Sequence, residues 1–141
     1  MITFGEYFEE HFDEAIRRVD SSPLNLIIAH GPLGTGTSVF VNAGAKVSGW
    51  IYQGFPKEGW QPRIVDVAML KAGSINVINN AEAVTNLGEV LSWAQTNGKC
   101  IVVCMSLKTL SKYSTPLKGM AYLSVECTDI HQSPSISNEV F

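Results

Sequence analysis

Apolar residues recur at helical spacing near the start of the chain, where Phe4, Tyr7, Phe8, Phe12, Ala15, Ile16 and Val19 fall on one face. Thr3 followed by Glu6 reads as a capping box, so an amphipathic helix is predicted within residues 1–20. Glu9, Glu10, Asp13 and Glu14 form its solvated face. The pattern then changes. "SSPLN" breaks the helix, and Leu26 to Ala29 is an apolar run with no polar alternation, which suits a central strand covered on both faces.

Further runs follow. "TSVFVNAGA" predicts a helix, "KVSGWIYQGF" a strand, "PKEGWQPR" a loop, and Ile64 to Gly73 a short helix with a glycine stop. Ile75 to Ile78 predicts a strand, "AEAVTNLGEVLSWAQTNG" an amphipathic helix, and Cys100 to Met105 another apolar strand. After the polar segment "SLKTLSKYSTPLKG" comes a last strand, "MAYLSVEC", while "TDIHQSPSISNEVF" has the composition of a frayed terminus. Strands alternating with helices imply an α/β fold with a mostly parallel sheet flanked by helices. Residues 1–128 form one small domain with its core in 24–127, and 129–141 form a polar tail.

Composition narrows the classes. A chain of 141 residues suits a single domain, and 45% hydrophobic against 16% charged residues leaves apolar surface for a protein partner or a homo-oligomer. A net charge of −3 argues against a general nucleic-acid coat. The sequence offers no membrane span, and its acidic start "MITFGEYFEE" is unlike a signal peptide, so a cytoplasmic location is expected. Cys100, Cys104 and Cys127 have no metal-ligand spacing and read as buried free thiols; no metal site is expected. On one strand, Cys100 and Cys104 stand about 13 Å apart, too far for a disulfide.

The stretch "HGPLGTGTS", His30 to Ser38, directly follows the first apolar strand. A P-loop reads G-x-x-x-x-G-K-[ST]; Gly31, Gly36 and Ser38 are in register, and Thr37 occupies the lysine position. In such loops backbone N–H groups curl around a phosphate at a helix N-terminus, lysine neutralises the outer phosphates, and Ser or Thr holds magnesium. "LNLIIAHGPLGTGTS" resembles the strand and Walker A loop of RecA-like P-loop NTPases, and "MLKAGSINVINNAEAVTNLGEVLSWAQTNGKCIVVCMSLKT" is similar in layout to the pilus-motor and secretion ATPases. The likeness covers residues 24 to 109.

That resemblance implies a nucleotide or anion site at Gly31, Gly34, Thr35, Gly36, Thr37 and Ser38, with Asn79 and Asn80 at the Walker B position. Asn79 and Asn80 are neutral where an acid belongs, and Ser106 stands where those ATPases carry a histidine. Phosphoryl transfer is almost wholly positioning and charge stabilisation, so losing both lysine and acid should leave little hydrolysis. The expectation is a pseudo-NTPase with no catalytic residues, acting as a scaffolding or accessory subunit and holding ATP with magnesium weakly if at all. Two other readings stand beside it: a glycine turn that never meets a phosphate, and an atypical ATPase of a secretion, pilus or nucleic-acid machine. In the last, the missing charge comes from a neighbouring subunit or from Lys46, Lys71 or Lys108.

Other residues carry weaker signals. His30 reads as a hydrogen-bonded residue at a strand end, His11 borders the helix face, and His131 lies in the tail; none has metal spacing. No G-x-S-x-G elbow supports a nucleophilic triad. Lys108, Lys112 and Lys118 around Tyr113 read as a solvated loop in preference to a nucleic-acid contact. Trp50, Tyr52, Phe55 and Trp60 read as core, with Phe55 and Trp60 able to form an interaction surface.

Overall fold

The structure, a computed structural model, describes residues 10–32, 36–53, 62–71, 73–98, 100–115, 117–128 and 132–141. The Thr3 and Glu6 capping box, Gly34, Thr35, Phe55, Trp60 and His131 lie outside the described residues. Six strands make one sheet: β1 (Leu26–His30), β2 (Ile51–Tyr52), β3 (Ile75–Ile78), β4 (Cys100–Cys104), β5 (Ala121–Glu126) and β6 (Ser135–Val140). Their order is β2-β3-β4-β1-β5-β6. The first five are parallel, and β6 runs antiparallel to β5.

β1 is central because both its faces are apolar. Every residue from Leu26 to His30 is buried, and Ile28 sits beside Val103 of β4 on one side and Ser124 of β5 on the other. Side chains alternate across the sheet into two cores. Ile27, Ala29, Val77, Val102 and Leu123 face one layer, made by Phe12, helix α1 (Asp13–Ser21) and helix α2 (Thr37–Ser48). Leu26, Ile28, Ile78, Ile101 and Val103 face the other, made by helix α3 (Leu87–Thr96), Leu110 of helix α4 (Leu107–Ser111), and Val65 and Leu70. The expected α/β fold with helices on a mostly parallel sheet is therefore the observed one.

Several boundaries differ from the sequence expectation, each for a local reason. The described start is a 3-10 turn at Glu10–Phe12 before α1. The predicted strand "KVSGWIYQGF" is helical through Ser48 and extended only at Ile51–Tyr52. Gly49, at φ 70, takes the left-handed conformation that ends α2, and its N–H bonds the Ala45 carbonyl. The predicted helix from Ile64 to Gly73 is only a 3-10 turn at Val67–Met69, capped by Asp66. Arg63 bridges Val84 there, and Asn86 bonds both the N–H and the carbonyl of Val65, so the backbone is held extended before a helix can start.

α3 starts at Leu87, after a separate 3-10 turn at Ala81–Ala83. The polar segment after β4 contains α4, whose N-terminus the Ser106 hydroxyl caps through Thr109 N–H at 3.2 Å. The tail expected to fray supplies β6, paired with β5 from Glu126↔Ser135 to Ala121↔Val140. Its polarity reflects an edge strand exposed on both faces rather than absence of structure.

Candidate functional site

In an open parallel sheet, ligands bind beyond the carboxyl ends of the strands, where neighbouring strands lead to opposite faces. β1 and β4 are such neighbours. β1 leads into α2 on one face and on to β2 at the far edge, while β4 leads into α4 on the other face and on to β5. The glycine loop starts at this crossing. Gly36 is the N-cap of α2 at φ 104, a left-handed conformation that favours glycine, and no side chain caps the helix. Thr37 and Ser38 open the first turn, and among the described residues no side chain caps its early N–H groups.

Asn79 and Asn80 lie at the carboxyl end of β3, two strands away from β1. Their polar groups serve the turn. The Asn79 carbonyl oxygen Oδ1 accepts from Asn80 N–H at 3.0 Å, and Asn80 takes the left-handed conformation at φ 51 that starts the Ala81–Ala83 turn. Ser106, at the end of β4, is a helix cap whose own N–H donates to the Glu82 carboxylate at 2.7 Å. Glu82 also accepts from Thr109 Oγ1 at 3.5 Å. The Glu82 carboxylate thus joins the turn after β3 to the start of α4.

Arg63 is the cation that sequence reasoning missed. It is 9% exposed, its Nη2 donates to the Asn79 backbone carbonyl, and its Nε and Nη1 have no hydrogen-bond partner among the described residues. Burial lowers its pKa. No spacing signal marks it; only the Arg63–Val84 bridge brings it beside β3. The lysines weighed from sequence stand elsewhere. Lys46 lies in the last turn of α2, nine residues and about 14 Å from Thr37. Lys71 sits near the amino end of β3, its backbone bonded to Asn76 at 2.9 Å. Lys108 is exposed on α4.

His30 points to the face shared by Leu26 and Ile28 and meets β5. Its Nε2 lies 2.8 Å from Ser124 Oγ, it is 5% exposed, and its Nδ1 has no partner among the described residues. Burial lowers its pKa, an effect that nearby Glu126 partly opposes, so the ring is neutral at pH 7. Both residues line a cavity of about 260 Å³ with Tyr122, Glu126 and Glu139. A serine 2.8 Å from a neutral histidine has the contact of a nucleophile and base. The rest of that chemistry is missing. The backbone of β5 is paired with β1 and β6, and two carboxylates oppose any oxyanion in the cavity.

The thiols are chemically quiet. Burial pushes Cys100 up to about 11 and Cys127 up to about 12, and raises Cys104 further. All three are free. Among the described residues, no group of three or more His, Cys, Asp or Glu is placed to hold a metal ion. Among the same residues, no helix is long and apolar enough to cross a membrane. No family model, curated protein or solved structure matches the chain.

Proposed function

We propose that the chain is a catalytically degenerate P-loop-like domain that serves as a protein-binding accessory or scaffolding subunit. The observation that carries this reading is the place of the glycine loop: it leaves the central strand at the crossing between faces and delivers an uncapped N-terminus of α2. A backbone arranged this way favours an anion through its N–H groups and the helix dipole.

The surrounding charges speak against turnover. Thr37 supplies no cation, and Asn79 and Asn80 supply no carboxylate for magnesium. The guanidinium of Arg63 against the Asn79 carbonyl makes a divalent cation there less favourable still, because like charges repel strongly where water is excluded. Ser106 is spent on capping α4. A domain that keeps the frame and lacks the charges is suited to docking, and Ile64 at 74% and Met69 at 59% exposure provide apolar contact surface.

A titration with a fluorescent ATP analogue, with and without magnesium, together with a phosphate-release assay, tests this. The expected result is weak binding indifferent to magnesium and no release above background. The triple variant Thr37→Lys, Asn79→Asp, Asn80→Glu should bind nucleotide more tightly. Robust magnesium-dependent hydrolysis by the natural sequence sinks the pseudoenzyme reading, and a triple variant that folds yet binds nothing counts against a P-loop frame.

A further inference from the structure

β6 ends the sheet on one side, and all of its residues but Ile136 are exposed. The direction of its backbone groups follows from its neighbours. Phe141 N–H donates to the Met120 carbonyl and the Phe141 carbonyl accepts from Gly119 N–H, so both groups turn toward the β5 side. On the far side of β5, Cys127 N–H donates to the His30 carbonyl, which leaves Tyr122, Ser124 and Glu126 to bond β6. Sides alternate along a strand, so Ser135, Ser137 and Glu139 bond β5 while Ile136, Asn138 and Val140 aim their N–H and C=O groups out of the sheet. The opposite edge, β2, is only two residues long, which keeps it from pairing further. β6 has six residues, no proline, lysine or arginine, and no bulge in its ladder with β5.

Such an edge pairs with a copy of itself only where outward groups meet outward groups. An antiparallel two-fold axis at Asn138 meets that condition and gives every outward N–H and C=O of Ile136, Asn138 and Val140 a partner. Asn138 then faces Asn138 of the second copy, and Ile136 faces Val140 in both directions. A slide to the next permitted register either way sets Asn138 against Ile136 or Val140 and leaves one end of the edge unpaired. One of those slides also brings Glu139 against Glu139. The side chains favour the same axis. Val140, 65% exposed in a single copy, covers Ile136, which packs partly buried on the α1–α2 core. The Asn138 amides each donate and accept, so they satisfy one another. Glu139, the one charge on the strand, falls opposite Ser137, whose hydroxyl donates to a Glu139 carboxylate at 2.9 Å within the single strand. The two Glu139 residues stand on a diagonal about 7–8 Å long, a mild repulsion that salt screens.

We propose that two copies of this chain pair through β6, antiparallel about a two-fold axis at Asn138, so that one sheet runs through both. The same patch serves each copy, so the assembly closes at a dimer. Pairing needs nothing from the glycine loop, so its loss and the loss of nucleotide binding are separable.

Sedimentation equilibrium of the full chain over the micromolar to millimolar range tests the assignment. The expected result is a monomer–dimer equilibrium that dissociates on dilution and tightens as salt rises. Asn138→Pro removes an outward N–H that β5 does not use, and should weaken the dimer by about tenfold or more. Val140→Lys, at a position 65% exposed in the single copy, should weaken it without disturbing the monomer. Mild oxidation reads the register. The two Asn138 backbones lie about 5.5 Å apart in this arrangement, within disulfide reach. Asn138→Cys should therefore give a covalent dimer, and Ser137→Cys, with the natural sequence as control, should not. A natural sequence that stays monomeric throughout leaves the edge to a strand of some other protein and overturns the proposal. A dimer that Asn138→Pro and Val140→Lys both leave unchanged overturns it too, as does faster cross-linking through Ser137→Cys than through Asn138→Cys.

Discussion

At the scale of single residues, the tightest constraint is Gly44 against Trp50. A Cβ on Gly44 meets the Trp50 ring at 2.0 to 2.4 Å, and the ring is fixed from three sides: Phe40 at 5.5 Å edge-on, the Asp20 carboxylate accepting from Nε1 at 2.8 Å, and the backbone of α2 beneath. Asp20 also accepts from Ser48 Oγ at 2.7 Å, so the indole cannot swing aside without breaking the joint between α1 and α2. Gly44→Ala should cost about 1–3 kcal/mol in denaturant unfolding and alter the near-ultraviolet signal of Trp50. A variant of unchanged stability contradicts this packing. His30 gives a pH test. Its folded pKa lies below the unfolded 6.5, so the unfolded chain takes up the proton first. The stability due to the neutral ring is complete above pH 6.5 and is lost as pH falls through the lower folded value. His30→Gln should flatten this slope in denaturant midpoints measured between pH 7.5 and 5.

At the scale of elements, side-chain amides stand in for missing secondary structure. Asn86 closes a bridge to Val65 through both of its amide groups, and Asn76, fully buried in β3, accepts from Gln53 Nε2 and Lys71 N–H while donating to the carbonyls of Lys71, Ser74 and Cys100. Asn76→Leu removes all of these and leaves several buried groups unpaired, each costing about 1–3 kcal/mol. It should unfold the chain at 37 °C or shift its denaturant midpoint far down, whereas Asn97→Ala, which loses one exposed bond to the Trp93 carbonyl, should change little. These amides also explain what the sequence concealed. Periodicity reports burial, so the runs at Leu26, Ile75 and Cys100 read correctly as strands. Val65, Val67 and Leu70 have equally apolar spacing, yet Asn86 pairs the extended backbone of Val65 and Asp66 caps no more than a single 3-10 turn at Val67–Met69, partners that the spacing does not reveal. β6 was hidden for the opposite reason: an edge strand exposed on both faces has no apolar alternation to read. Of the functional candidates, the glycine loop was visible because its chemistry is local in sequence. Arg63 beside Asn79, and His30 beside Ser124, were not, since sequence separations of 16 and 94 are closed only by the sheet.

At the scale of the molecule, the two cores lie on opposite faces of the sheet, and the central strands contribute to both. Opening either layer exposes strands that the other also needs, so unfolding should be cooperative across the whole sheet. The thiols report on this directly. Cys104 and Cys127 belong to the core shared by α1 and α2, and Cys100 packs against it with its Sγ 3.9 Å from the Leu24 carbonyl. Burial raises all three pKa values, which leaves almost no thiolate at neutral pH in the folded state. On unfolding, each returns toward the ordinary range near 8.5, and reactivity toward iodoacetamide rises by orders of magnitude. In native buffer at pH 7.5 the three cysteines should therefore alkylate slowly, and added urea should release Cys104 and Cys127 together, with the same dependence as the Trp50 signal. Peptide mapping by mass spectrometry would separate the sites. Early labelling of Cys127 alone would mean that the β5–β6 side of the sheet opens independently of β1 and β4.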